Sequence, residues 1–291
     1  MSLESAFSLI DSVSGNRVLF VGETVEDVYH YCTPLGRPLK DLVISVKRCR
    51  TEHWCGGIVA ASHHARGFCG SVDVLSDRSI IKTRFLESAY FRKLFEFYEG
   101  VQIFETTTQP MINSYDAVCV IDYGHGMMNE EYQQKVEVEA GFLAINVQAN
   151  SGNYGFNLAT KYNSCDYLVT DELEARLATH NQFGRIEHSL ELLTEIAPKV
   201  VITLGIQGAI GCDKNGLCRM VALSKGVVDT MGAGDAFFAV TAPMAKTASI
   251  EDLLLIGNAA GALKVQNIGH SKPVTKARLV AYLKEQTRGA H

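Results

Sequence analysis

The chain has 291 residues, 47% of them apolar and 20% charged, enough for one large domain with a buried core. A formal net charge of −5 gives no electrostatic footprint for nucleic acid, and no apolar run approaches the roughly 20 residues that span a bilayer. The start, Met1-Ser2-Leu3-Glu4, has neither the basic nor the apolar region of a secretory signal, which predicts a cytoplasmic protein with no nucleic-acid and no membrane partner.

In chain order, residues 17–22 read as a buried strand ending in glycine, and residues 41–48 as a half-exposed alternating strand. Residues 58–66, after Gly56-Gly57, suit a helix, and residues 72–75 a short strand. Residues 81–87 and 90–97 alternate again, so a small sheet is expected to project from the main body. After about residue 114 the rhythm becomes strand, helix, strand: strands at 117–121, 142–147, 167–170 and 200–204, with helices at 130–140, from 171, and at 186–197. Two helices, 250–266 and 275–286, close the chain. This alternation predicts a parallel sheet covered on both faces, with ligands at the C-terminal strand ends. Gly22, Asp122, Gly205 and the segment 229–235 all fall at such ends.

The eight cysteines are scattered and form no C-x-x-C pair, which predicts reduced and mostly buried thiols. Cys49, His53, Cys55, His63, His64 and Cys69 hold soft ligands, but their irregular spacing argues against a zinc site. There is no P-loop, no G-x-S-x-G elbow and no H-E-x-x-H.

The most informative segment is Asp229-Thr230-Met231-Gly232-Ala233-Gly234-Asp235. The pair Val227-Val228 before it suggests a strand, and Ala236-Phe237-Phe238-Ala239-Val240 after it a helix. A helix start offers unpaired amides and the positive end of a dipole, which bind anions. Gly232, Ala233 and Gly234 keep side chains away, and Asp235 stands where a carboxylate could take a proton from a hydroxyl. Those are the parts of a phosphotransferase.

This string resembles the signature of the ribokinase-like (PfkB) carbohydrate kinases. The resemblance implies an α/β fold: a three-layer α/β/α arrangement with a mainly parallel central sheet and a small projecting β lid. It also implies a single domain over 1–291, with lid strands at about 38–50 and 80–98. It implies ATP and Mg²⁺ as cofactors and leaves a monovalent cation open. By the same resemblance Asp235 is the base and the Gly232–Gly234 amides the anion hole. Asp27 after the first strand and Gly56-Gly57 resemble the family's sugar-binding positions. Thr203, Gly205 and Gly208 resemble its T-x-G-x-x-G segment near the nucleotide, and Asn258 and Gly261 its adenine-side helix. Asp229 and Thr230 belong to the nucleotide side of the motif. Asp171 and Glu174 align with N-x-x-E, which implies Mg²⁺ held through water.

Within the family, Lys82-Thr83-Arg84 and Asp122-Tyr123-Gly124-His125-Gly126 look most like the sugar-kinase half of bifunctional ADP-heptose synthesis enzymes. Lys82 and Arg84 are then candidates to hold a phosphate already on the sugar, with Asp122 on the substrate side. The likeness implies a homodimer paired through the lid. It also implies a nucleotidyltransferase domain or partner outside these 291 residues. Departures lie on the sugar side and around the metal: Ala60 or Ala61 stands for an Asn, Asp171 for another, and His125 for a Lys. They point to a different or modified sugar, and they leave open a kinase-like binding or regulatory protein without chemistry.

Overall fold

Short runs of β-branched and apolar residues, each closed by glycine or a polar residue, build the central sheet. The computed structural model describes residues 3–104, 110–223 and 226–288. A first helix, α1 (Leu3–Ser12), leads into β1 (Arg17–Gly22), and the chain then enters a second sheet through β2 (Thr24–Pro34) and β3 (Val46–Gly56). It returns through α2 (Gly57–Ala65) and β4 (Ser71–Leu75), and makes β5 (Arg78–Glu87), β6 (Arg92–Tyr98) and β7 (Gln102–Ile103). Then follow β8 (Ala117–Asp122), α3 (Glu130–Glu139), β9 (Leu143–Val147), β10 (Tyr167–Asp171), α4 (Glu172–Ala178) and α5 (Ile186–Leu193). The hairpin side comprises β11 (Val200–Thr203), β12 (Ala209–Asp213) and β13 (Gly216–Met220), before α6 (Ala233–Thr241), α7 (Ile250–Lys264) and α8 (Lys276–Arg288).

The main sheet runs β13-β12-β11-β10-β9-β8-β1-β4, parallel from β11 to β4 and antiparallel at β12 and β13. Period-two alternation sends side chains to two cores. Val18, Phe20, Cys119 and Ile121 pack with α1, α2, α6, α7 and α8. Leu19, Val21, Val118 and Val120 pack with α3, α4 and α5. This is the expected three-layer α/β/α arrangement.

The second sheet runs β3-β2-β5-β6, with β7 beside β5. It differs from the expected strands. β2 follows β1 almost directly and was not foreseen, and the strand expected over 41–48 begins only at Val46. Its inner face carries Tyr29, Tyr31 and Leu86, packed against Met231 and Ile268 of the main body. That contact seats the sheet over the C-terminal ends of β1 and β8. Val227 and Val228 form no strand; both are exposed in the loop before α6. Of the cysteines, only Cys32, Cys119 and Cys165 are buried, while Cys49 and Cys55 are exposed on β3. Among the described residues no group of three or more His, Cys, Asp or Glu could hold a metal ion, and no helix is long and apolar enough to cross a membrane.

Candidate active site

The start of α6 is an open turn whose amides could receive an anion. Gly232 caps the helix at φ +70°, a conformation that favours glycine. Ala233 N reaches Thr230 O only at 3.4 Å and Ala236 N donates to Gly232 O at 3.0 Å, which leaves the amides of Gly234 and Asp235 for a ligand. A Cβ placed at Gly234 would meet nothing within 4 Å, so the space beside that residue is open. The turn is braced from below. Asp229 accepts from Met231 N at 3.0 Å and Gly269 N at 2.9 Å. The ammonium of Lys264 donates to Met231 O at 2.6 Å and Gly269 O at 2.8 Å.

Three cavities of about 220–230 Å³ each lie in a row along this turn. The inner one, beneath the second sheet, is lined by Asp27, Lys82, Arg84, His125 and His270. The middle one holds Asn146, Asp171 and Glu174. The outer one is mostly apolar, with Ile206, Leu223, Phe237 and Val265 beside Gly205, Gly208, Asn258 and Gly261. Inner and middle cavities share Gln148, Ala149, Gly232 and Asp235. Middle and outer cavities share Thr203, Thr230, Ala233 and Gly234. The row is therefore continuous, and Asp235 stands at its inner junction.

Asp235 is nearly buried, at 9% exposure, and accepts from Gln148 Nε2 at 2.5 Å and Tyr123 Oη at 3.3 Å. Burial raises its carboxyl above the ordinary aspartate value against the pull of His270, Gln148 and Lys264, which suits a group that must accept a proton. At the far side of the inner cavity, Asp27 pairs with Arg84 through Oδ1 and with His270 Nε2 through Oδ2 at 3.2 Å. Burial opposes its ionisation, but the His270 hydrogen bond and the Arg84 charge prevail and hold it below the usual carboxylate range. Gly56 does not line the cavity; any side chain there would overlap the Asp27 carboxylate. Gly57, at φ +59°, does line it.

Lys82 lies 4.6 Å from the Tyr98 ring centre and 3.9 Å from Glu96 Oε1; burial, then Arg84, pulls its pKa below the ordinary lysine value. Burial, then Lys82, pushes His125 down to about 4, so its ring faces the cavity uncharged. The loop that presents Tyr123 and His125 is hung on buried Glu23, which accepts from Tyr123 N, His125 N and Met127 N at 3.0–3.1 Å.

Asp171 caps α4 in a capping box with Glu174. Burial, then the neighbouring Asp171, raises the Glu174 pKa. Two carboxylates at the open middle cavity fit the way Mg²⁺ is bound, by one or two acidic groups plus waters and substrate phosphates. Glu174 already accepts from Ala149 N, Asp171 N and Thr170 Oγ1, which fits contact through water.

Several expected residues take other roles. Asp122 is fully buried and turned away from the inner cavity: it accepts from Tyr162 Oη at 2.8 Å and Gly124 N at 3.0 Å and pairs with Lys161. It fixes the loop and does not line the inner cavity. Arg84 lines the inner cavity with Nη1 bound to Asp27, while Nε is buried without a hydrogen-bond partner, 3.6 Å from Glu96 Oε2. Asp229 lies behind the turn and lines neither the middle nor the outer cavity. Asn258 sits at the outer cavity as expected, with Nδ2 buried and lacking a partner, ready for a ligand acceptor. His270, Gln148 and Lys264 carry no local pattern that assigns them to the site, and Tyr123, though inside the Asp122–Gly126 motif, is not among the expected site residues.

The family model for the pfkB family of carbohydrate kinases matches residues 141–277. The bifunctional protein HldE of Methylobacillus flagellatus is 25% identical over 185 residues, 60% of this chain and 36% of that protein. The ATP-dependent 6-phosphofructokinase isozyme 2 of Escherichia coli is 38% identical over 74 residues, 25% of this chain and 24% of that one. The chain thus matches well under half the length of these curated relatives. Among solved structures, phosphofructokinase-2 from Escherichia coli in complex with potassium superposes with a TM-score of 0.70 at 14% identity, covering 92% of this chain and 99% of that one. Arabidopsis thaliana ribokinase complexed with ribose and ATP gives 0.66 at 17% identity, covering 93% and 99%. At these identities the structures speak for the fold, and the family match speaks for the segment that carries the anion turn, Asp235 and the outer-cavity helix. Residues 141–277 thus match the pfkB family of carbohydrate kinases, whose members are phosphotransferases, and the chain has the ribokinase-like fold.

Proposed function

We propose that the protein transfers the γ-phosphate of ATP to a hydroxyl of a sugar phosphate of heptose-phosphate type. The observation that carries this reading is the continuous row of three cavities with Asp235 and the bare Gly234 amide at its junctions. The nucleoside lies in the apolar outer cavity against Asn258, and the phosphates in the middle one. The sugar lies in the inner cavity, where Asp27, kept ionised by Arg84 and His270, accepts sugar hydroxyls. Asp235 takes the proton of the attacking hydroxyl as its oxygen bonds to the γ-phosphorus and the bond to the β–γ bridging oxygen breaks, releasing ADP. The amides of Gly234 and Asp235 and the α6 dipole stabilise the charge that grows on the transferred group. Asp171 and Glu174 would hold Mg²⁺ through water, and the bound ion would neutralise phosphate charge.

The similarity to HldE proteins from Methylobacillus flagellatus and Helicobacter pylori supports a phosphorylated heptose, and Lys82 and Arg84 are the cations at the inner cavity to contact its phosphate. We place a homodimer contact on the outer face of the second sheet, where Phe85 and Phe95 stack at 4.2 Å and Phe95 and Phe97 stay exposed. A second reading, a nucleotide-binding protein without turnover, draws on the mutual pairing of Asp27, Arg84 and His270 in the inner cavity.

One experiment separates the two. ADP release is measured with ATP, Mg²⁺ and a panel of plain and phosphorylated sugars, on the protein and on Asp235→Asn. The expected loss in the variant is about 10²–10⁴-fold with ATP binding retained. ADP release from no sugar, despite ATP binding, leaves the second reading standing. An unchanged rate in the variant removes Asp235 from the mechanism.

A further inference from the structure

Lys264 is the most buried cation of the described chain, at 1% exposure, in the last turn of α7. A last-turn lysine ordinarily faces water and serves the helix dipole. This one runs beneath the anion turn, where its ammonium bonds the carbonyl oxygens of Met231 and Gly269. Those two oxygens belong to different loops, and the Asp229 carboxylate bonds the amides of the same two residues. Two carbonyl dipoles and a carboxylate converging in the interior repel one another unless a cation lies between them. Backbone carbonyls in such a ring are also the donors that take a potassium ion.

The consequences reach both ends of the row. Met231 precedes Gly232, the cap of α6, and Gly269 precedes His270, which holds Asp27. Burial lowers the Lys264 pKa, and the charges of Asp229, Asp235 and Asp27 pull it back up. On the α2 side, His64 is uncharged near neutral pH and does not compete.

We propose that Lys264 is a positioning residue whose ammonium is a built-in monovalent cation for the anion turn, so that this chain works without added potassium. The claim about turnover rests on the kinase reading above; the claim about the cation does not, and the two are tested apart. With the sugar that gives turnover, rates are compared in potassium and in choline buffers. The wild-type rate is expected to be the same in both. Lys264→Met is expected to lose about 10-fold or more in kcat, with KM for ATP little changed. In Lys264→Ala, which opens room for a small cation, ammonium or potassium restores part of the loss. A wild-type rate that climbs several-fold with potassium, or a Lys264→Met variant with unchanged kcat, overturns the proposal.

Thermal unfolding without substrate supplies the second arm. The wild-type midpoint is expected to be equal in choline, potassium and ammonium, and that of Lys264→Ala to rise in ammonium or potassium alone. Failure of the kinase reading appears as absent turnover with every sugar while this arm still reads. A wild-type midpoint that rises specifically with potassium, or a Lys264→Ala midpoint indifferent to all three ions, overturns the cation claim by itself.

Discussion

Gly234→Ala sets stability against activity. Gly234 lies in the first turn of α6, its φ is not in the left-handed region, and a Cβ there meets nothing within 4 Å. No clash opposes the change, and replacing glycine by alanine in a helix gains about 0.5–1 kcal/mol. The ligand-free protein is therefore expected to melt about 1–3 °C higher. The same methyl would stand where the middle and outer cavities meet, both of which Gly234 lines and where the proposed function puts a phosphate. Blocking one such donor is expected to cost about 10²–10³-fold in kcat. ATP at 100 times its Kd stabilises the wild type by about 2.7 kcal/mol, and this increment should shrink sharply in the variant. Differential scanning fluorimetry with and without ATP–Mg²⁺, beside an ADP-release assay, reads all three effects. A variant that is more stable and fully active would refute the placement of a phosphoryl group on this turn. A variant that is less stable would refute the open space above it.

Other substitutions probe the neighbouring groups. Lys82→Met is expected to raise KM for a phosphorylated sugar about 10-fold or more while leaving that for a plain sugar unchanged, because it removes only the charge-assisted contact; steady-state kinetics on matched sugars decide it. Arg84→Met breaks the buried pair with Asp27, a loss of about 3–5 kcal/mol in comparable cases, here toward the lower end because His270 stays bonded to Asp27; urea unfolding measures it. His64 accepts from Val274 N at 2.8 Å, and burial, then the charges of Lys264 and His270, holds its pKa at about 3 against an ordinary 6.5. The unfolded chain takes up this proton first, so the contribution is whole above pH 6.5 and is lost as pH falls from 6.5 toward 3, at up to about 1.4 kcal/mol per pH unit. His64→Asn keeps an acceptor and cannot titrate, so its stability should fall less over that window. For the reaction itself, the raised carboxyl of Asp235 predicts that kcat falls on the acid side as that group protonates, at a pH above the ordinary aspartate value of 3.8.

What could be read along the chain were the parts whose chemistry is local. Small residues, a helix start and a carboxylate in immediate succession form a local pattern, so the open turn at Gly232–Asp235 could be read from the sequence. The parallel strands are legible for a similar reason, since burial on both faces forces continuous apolar runs such as Val118-Cys119-Val120. The second sheet was half legible. β2 carries the alternation of its neighbours, but it follows β1 after Glu23 alone, with no turn signal to separate them. Asp122 misled because a carboxylate at a strand end looks alike whether it faces a ligand or, as here, the Lys161 and Tyr162 side chains that arrive 39 and 40 residues later. Lys264 and His270 were invisible for the converse reason. Their partners, Met231 and Asp27, are 33 and 243 residues away, and only the packing of α7 against α6 and the closing of the second sheet brings them together. Spacing along a chain reports contacts within a turn or a ladder, whereas Lys264 and His270 are placed by topology. On the proposed reading, two of the groups that would set sugar and ion requirements, Lys264 and His270, lie outside the signature string. Exchanging Lys264 and His270 together for small uncharged residues should change those requirements while the anion turn stays intact, which ATP–Mg²⁺ protection in a thermal-shift assay would register.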